Sequence, residues 1–269
     1  MREKNELISC LCITDKRVNL LSRSIDCFRN QTYANKELII LYNDYDYDTS
    51  TFVNSIDDEN IKCFKIDSNL KLSLGAKRNL SLEKSNGTYF CNWDDDDWHH
   101  SERLNLQFKA LRENHKEASI LINVILYDCK EKQAYFSFSW PWEGTLLCDK
   151  SFIREFKYGD IDKGEDSYLI SHLLDNNFVY PVIKPTLYIY TIHGQNTWDY
   201  NHFRSFFLRS QKLSPKISSF VKGVLENEYT YAKASKLLFE AGILNEIDYF
   251  KWDRKAIKKI ICKSQNSPF

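Results

Sequence analysis

Residues 91–100 read CNWDDDDWHH, four consecutive aspartates between two tryptophans. Adjacent carboxylates repel one another, and their pKa values rise above the roughly 3.9 of a free aspartate unless a cation compensates. A divalent ion is the natural compensation. Mg²⁺ or Mn²⁺ takes one or two carboxylates and fills its other positions with phosphate oxygens and water, so such a cluster suits a metal diphosphate. In an extended stretch alternate side chains share a direction, which groups Asp94 with Asp96 and points Asp95 elsewhere. The plainer alternative is a solvated acidic loop, or acid welcomed by the N-terminus of a helix beginning near Ser101.

Other residues have types suited to the same chemistry. In SLGAKRNL (73–80) Gly75 permits close packing, and Arg78 is a forked, charged donor able to approach a base or diphosphate; Lys77 reads more simply as part of a solvated helix face. No Gly-x-x-x-x-Gly-Lys-Ser/Thr or Gly-x-Gly-x-x-Gly occurs there, which sets aside those nucleotide folds. Glu165 and Asp166 precede the apolar pattern Leu169, Leu173 and Leu174, where a helix begins and its dipole favours carboxylates by roughly 0.3 to 1 kcal/mol. His193 ends a strand-like run and is followed by Gly194, a break that lets the backbone turn. Trp140 and Trp142 offer indole faces that stack on sugar C–H surfaces, although core packing explains them equally well.

Strand and helix patterns alternate through the first hundred residues. Residues 7–14 (LISCLCIT) form an apolar run of buried-strand length, and Val18, Leu21, Ile25 and Phe28 then recur at helical spacing. Residues 37–41 and 61–66 read as further strands, and 74–84 as a helix stopped by Asn86-Gly87. Residues 88–93 form the next strand and run straight into the aspartates, with Leu104, Phe108 and Leu111 marking a helix after them. The acidic cluster is thus expected at the carboxyl end of a strand in a mostly parallel sheet, where open α/β folds bind ligands. That position favours the metal diphosphate over the solvated loop.

Composition bounds the rest. With 269 residues and 43% hydrophobic side chains the chain can bury a real core. Its 37 basic and 37 acidic residues cancel, so no bulk field favours nucleic acid. No apolar run is long enough to span a membrane, and MREKNELISC lacks the apolar stretch of a signal peptide, so a cytoplasmic location is expected. Eight cysteines, none in a Cys-x-x-Cys pair, read as small buried hydrophobes and not as a zinc site or disulfide framework.

The order of the segments NQTY (30–33), KELII (36–40), LGAKRNL (74–80) and WDDDDWHHSERL (93–104) resembles that of the family 2 glycosyltransferases, over roughly residues 7–200. PWEGTLLC (141–148), KGEDSYL (163–169) and YTIHGQNTW (190–198) are similar to segments of a bacterial branch of that family. The resemblance implies a GT-A fold, a nucleotide-sugar donor (a UDP-sugar first), a divalent metal, Mn²⁺ or Mg²⁺, and transfer with inversion. Carried over residue by residue, it makes Asp94 and Asp96 the Asp-x-Asp metal motif, with Asp96 the direct ligand, Asp95 near the ribose and Asp97 behind them. It puts Thr14 and Gly75 beside the donor, Arg78 at base or diphosphate, and His193 on the metal, where a neutral imidazole suits Mn²⁺ better than Mg²⁺. Asp166 is the expected general base, with Glu165 beside it, and Trp140, Trp142 and Glu143 face the acceptor. The family usually has Asp-Asp-Gly-Ser after its second strand; here Tyr42-Asn43-Asp44-Tyr45 stands there, so the base reader is Asn43 or, with a one-residue slip, Asp44. An asparagine amide can still pair with a uracil edge.

Beyond residue 202 short helices are expected, dividing the chain into a GT-A domain, 1–202, and a helical extension, 203–269. The tail KWDRKAIKKIICKS (251–264) sets basic residues around Trp252, Ala256, Ile257, Ile260 and Ile261, either a surface helix or a contact with the inner face of an anionic membrane bearing a lipid-linked acceptor. The expected activity is sugar transfer from a nucleotide-diphosphate sugar to a hydroxyl of a glycan or lipid-linked acceptor in a bacterial surface glycan. Its rivals are a non-catalytic sugar- or nucleotide-binding relative and a metal-dependent nucleotide-sugar hydrolase.

Overall fold

The computed structural model describes residues 6–153 and 156–240. The N-terminal half alternates as its apolar runs require: β1 (Ile8–Thr14), α1 (Val18–Arg29), β2 (Lys36–Asn43), α2 (Tyr47–Asn54), β3 (Ile61–Ile66), α3 (Leu74–Lys84) and β4 (Tyr89–Asn92). β1 lies between β2 and β4, parallel to both, with Cys10 opposite Leu38 on one side and Cys91 on the other. β3 extends the parallel set beyond β2. α2 was not legible as an apolar stripe. It starts because the Asp46 carboxylate accepts the Thr49 amide at 3.1 Å, a side-chain cap that satisfies an otherwise unpaired donor. Ser73 caps α3 in the same way, taking the Ala76 amide at 3.1 Å.

The second half supplies β5 (Trp98–His99), α4 (Arg103–Glu113), β6 (Ala118–Leu121), β7 (Ile125–Asp128), β8 (Gln133–Phe136), β9 (Leu147–Asp149), α5 (Ser167–Asp175), β10 (Val179–Val182), β11 (Tyr188–Ile192), α6 (Tyr200–Arg209), β12 (Gln211–Lys212), α7 (Pro215–Leu225) and α8 (Tyr231–Glu240). Seven strands form the large sheet in the order β10-β6-β9-β4-β1-β2-β3, in which β9 alone runs antiparallel to its neighbours. A second sheet, β12-β8-β7-β11-β5, stands beside it. Its edge strand β5 pairs with β11 through Trp98 opposite Ile189 and His99 opposite Tyr188, which brings the end of β11 back to the acidic residues.

Helices flank the large sheet, the expected mostly parallel α/β architecture. Leu213, Ile217, Val221, Leu225, Ala234 and Leu238 belong to the same buried cluster as Ile8, Leu21, Trp93 and Trp98, and α7 packs on β7 and β8 of the second sheet. The basic tail lies outside the described residues. Among the described residues no helix is long and apolar enough to cross a membrane, and the seven cysteines there are all unpaired by disulfides, five of them buried.

Candidate active site

The chain leaves β4 at Asn92 and turns at Asp95 and Asp96 before entering β5. Because it turns, the alternation expected of an extended stretch does not hold. Asp94 faces Arg78, whose Nη2 lies 3.2 Å from Asp94 Oδ1, whereas Asp95 and Asp96 both face Arg17, at 2.9 and 3.0 Å. Asp96 Oδ2 also meets His193 Nε2 at 3.0 Å and Asn196 Nδ2 at 3.4 Å. Asp97 turns inward, accepting from the Tyr188 hydroxyl and, at 2.8 Å, from the Thr191 amide. Beneath the turn, fully buried Arg103 donates to the carbonyls of Asn92 and Gly144 at 3.0 and 3.2 Å, and Arg23 donates to the Asp96 carbonyl at 2.6 Å.

These contacts set the charges. Burial raises Asp94, with the Asp96 charge adding to it and Arg78 opposing. Burial and the Asp96 charge push Asp95 up to about 7 despite Arg17. Asp97 is raised well above the carboxylate range by burial and its acidic neighbours. Asp96 goes the other way: burial would raise it, but the hydrogen bond from His193 and the charge of Arg17 together bring it below its ordinary value. Of the four carboxylates, Asp96 alone is held below its ordinary value.

The turn forms one wall of a cavity of about 530 Å³ whose lining includes Thr14, Arg17, Lys77, Arg78, Trp140, Glu143 and Asp166. On the wall nearest β1, the buried Thr14 hydroxyl lies beside the Asp95 carboxylate and lowers its pKa somewhat against burial. Elsewhere in the lining Arg78 Nε donates to Glu165 Oε1 at 2.8 Å, so one buried guanidinium ties Asp94 to the segment that opens α5. Asp166 occupies the N-cap position of α5, yet its side chain caps nothing and lines the cavity. Burial and the Glu165 charge push it up to about 6. Glu143 accepts from Trp140 Nε1 at 3.2 Å, and burial with the Asp166 charge pushes it up to about 8.

Some expected residues stand elsewhere. Asn43 is buried and donates to the Tyr45 hydroxyl at 2.8 Å, Asp44 accepts the Ser68 amide at 3.2 Å, and neither is part of the cavity lining. Gly75 contributes absence of bulk: a Cβ there would sit 1.7 Å from the Gly159 carbonyl oxygen, so glycine lets the segment carrying Glu165 lie against α3. Trp142 is 3% exposed and packs among Phe138, Tyr190 and Phe206, chiefly a core residue at the cavity wall, whereas Trp140 is 40% exposed. Sequence reasoning passed over Arg17, Tyr188 and Asn196. Only Arg17 left a trace, as a residue without capping ability where a helix N-cap belongs.

The donor set can be tested against a divalent ion. Among the described residues no three His, Cys, Asp or Glu side chains converge as a cage for a cation. Asp96 and His193 do meet, and Asp94 is drawn off to Arg78. Asp96 faces the cavity and His193, outside its lining, touches the same carboxylate, so an Mg²⁺ or Mn²⁺ ion would fit there by bringing phosphate oxygens and water for most of its positions.

The sequence matches glycosyl transferase family 2 over residues 10–172. No curated protein matches the chain. Among solved structures, the S. aureus TarS 1–349 complex with UDP-GlcNAc superimposes with a TM-score of 0.57 at 14% identity, covering 92% of this chain and 74% of that one. The same TarS fragment with UDP gives 0.53 at 12% identity over 92% and 77%. A longer TarS structure gives 0.53 at 13% identity, and this chain spans 43% of its length. At such identity the likeness speaks for the fold, the GT-A arrangement of a mostly parallel sheet with flanking helices. The family match, which takes in β1, the acidic turn and the Glu165-Asp166 segment, says more: this chain is a member of glycosyl transferase family 2.

Proposed function

We propose that this chain moves a sugar from a nucleotide-diphosphate sugar, a UDP-sugar first, to an acceptor hydroxyl with inversion at the anomeric carbon. The observation that carries this reading is the contrast between two carboxylate groups lining one cavity, Asp95 and Asp96 ion-paired with Arg17, and Asp166 and Glu143 with no ion-pair partner among the described residues. TarS has been solved with UDP-GlcNAc and with UDP, which supports a nucleotide-sugar donor here. Thr14 and Asp95, beside one another at the end of β1, suit a ribose hydroxyl. A divalent ion held by Asp96 and His193 would neutralise the diphosphate and stabilise the charge that develops as it leaves.

The chain's own residues do the remaining work. Arg78, fixed between Asp94 and Glu165, offers the diphosphate side a cation already held in place. Asp166, ionised above about pH 6, accepts the acceptor's hydroxyl proton as that oxygen attacks opposite the departing diphosphate. One base and one displacement invert the configuration. Trp140 gives the acceptor an exposed stacking face beside Glu143. Transfer to a bacterial surface glycan, in the cytoplasm at the inner face of a membrane touched by the basic tail, belongs to the same proposal.

A panel of nucleotide sugars tested for thermal stabilisation and turnover with Mn²⁺, with the product's anomeric configuration read by NMR, decides it. Stabilisation by UDP-sugars and an inverted product are expected; a retained configuration removes the single-displacement mechanism.

A further inference from the structure

Arg17 stands where a countercharge is needed and where a metal ion would have to come. Its Nη2 lies 2.9 Å from Asp95 Oδ1 and its Nη1 3.0 Å from Asp96 Oδ2, the same Asp96 oxygen that His193 Nε2 approaches at 3.0 Å. The backbone is shaped to deliver it. Lys16 adopts a left-handed φ of 55°, its amide held by Asp46 Oδ2 at 2.6 Å, and the turn so formed aims the next side chain at the acidic residues. Arg17 occupies the N-cap position of α1 without making a capping bond, a place where serine, threonine or aspartate would serve the helix better. The side chain is committed to the carboxylates instead, and it also lines the cavity.

Resting on the proposed nucleotide-diphosphate donor, we infer that Arg17 makes metal binding conditional on the diphosphate: its guanidinium closes on Asp95 and Asp96 while the cavity lacks donor, and moves from Asp96 to phosphate oxygens when the metal diphosphate arrives. A bare divalent ion approaching Asp96 meets a fixed positive charge and must compete for an oxygen already bonded. An ion that comes with a diphosphate brings the guanidinium a replacement partner of matching fork geometry. Arg17 thus answers for Asp95 and Asp96 when no donor is bound, as Arg78 does for Asp94.

The coupling is reciprocal, so it is read by measuring each ligand with and without the other. Mn²⁺ binding to the full chain is titrated by electron paramagnetic resonance alone, with UDP and with inorganic pyrophosphate, for wild type, Arg17→Ala and Arg17→Lys. Arg17→Ala is expected to bind Mn²⁺ alone roughly tenfold more tightly than wild type and UDP in saturating Mn²⁺ roughly tenfold more weakly. Arg17→Lys keeps the charge but not the fork, and should lie between them. Equal or weaker Mn²⁺ affinity in Arg17→Ala, or no Mn²⁺ binding to either protein without a diphosphate, overturns the inference. Should Arg17→Ala fail to fold, Arg17→Lys decides: unchanged coupling between Mn²⁺ and UDP overturns it. If pyrophosphate shows the coupling and UDP does not, the nucleotide donor is wrong while the role of Arg17 stands.

Discussion

The two carboxylate groups of the cavity differ in what surrounds them. Asp95 and Asp96 share Arg17, and Asp96 adds His193, so Asp96 is driven below its ordinary pKa. Asp166 and Glu143 have no ion-pair partner among the described residues and are driven up, to about 6 and about 8. Asp96, with two cationic or donating partners, stays charged and suits an ion, whereas Asp95 is pushed up to about 7 despite Arg17; Asp166 and Glu143, without an ion pair, sit near neutrality and suit proton transfer. On the proposed mechanism, the side carrying Asp166 and Glu143 would supply the base and the acidic turn would meet the leaving group's charge.

The largest expected effect breaks the compensated half. Asp96→Asn keeps the shape but removes the charge that would hold a metal with His193, so turnover should vanish together with the Mn²⁺ dependence of nucleotide binding. Equal nucleotide affinity in chelator and in Mn²⁺ for the unaltered protein would defeat this. Next comes the other half. Asp166→Asn removes the proton acceptor, and turnover should fall at least about a hundredfold with donor affinity nearly unchanged. Near-normal turnover would point to Glu165, although that carboxylate is engaged by Arg78 Nε at 2.8 Å.

A titration sharpens the contrast. Asp166 must be ionised to act, so kcat/KM should rise with pH through about 6. Glu143 loses its proton near 8, and with it the ability to donate a hydrogen bond to the acceptor, so the rate should fall there. Glu143→Gln should abolish the alkaline fall, leave the acid limb in place and change the rate at pH 7 only a few-fold. A single-limbed profile in the unaltered protein would dissociate Glu143 from catalysis. The linked stability has a definite sign. Each of these carboxyls has a folded pKa above its unfolded one, so each contributes stability when protonated, and that contribution is lost as pH rises from the ordinary carboxylate range through the folded value.

The same contrast governs what could be read from sequence. β3 and α3 have the bounds expected of them, and β1, β2 and β4 differ from expectation by a residue or two, because continuous apolar runs of strand length and helical spacing are local signals. The second sheet was not legible. Its strands β5 and β12 are two residues each, and β11 pairs with β7 and β5, partners chosen by tertiary packing. Residue types at the site were visible, since four aspartates and a Glu-Asp pair stand out in any context. Their directions were not: the turn at Asp95 and Asp96 reversed the expected pairing and sent Asp94 to Arg78. Arg17 escaped notice because a cation beside a helix start reads as solvated until the fold closes on it.

The smallest expected effect separates stacking from hydrogen bonding at Trp140. Its indole is 40% exposed at the cavity, and its Nε1 donates to Glu143 Oε1 at 3.2 Å. A donor to a carboxylate favours the charged form, so this bond holds Glu143 lower than burial and the Asp166 charge alone would leave it. Trp140→Phe keeps an aromatic face and removes the donor. The alkaline fall in rate should therefore move to higher pH by a fraction of a unit, with the acceptor KM nearly unchanged. Trp140→Ala removes both, and should raise the acceptor KM as well, by roughly the tenfold that about 1.4 kcal/mol of lost stacking represents. Both variants are measured by pH profiles at several acceptor concentrations with saturating donor. An alkaline limb that stays in place in Trp140→Phe would show that the indole N–H does not tune Glu143, and an unchanged KM in Trp140→Ala would take the acceptor off this face of the cavity.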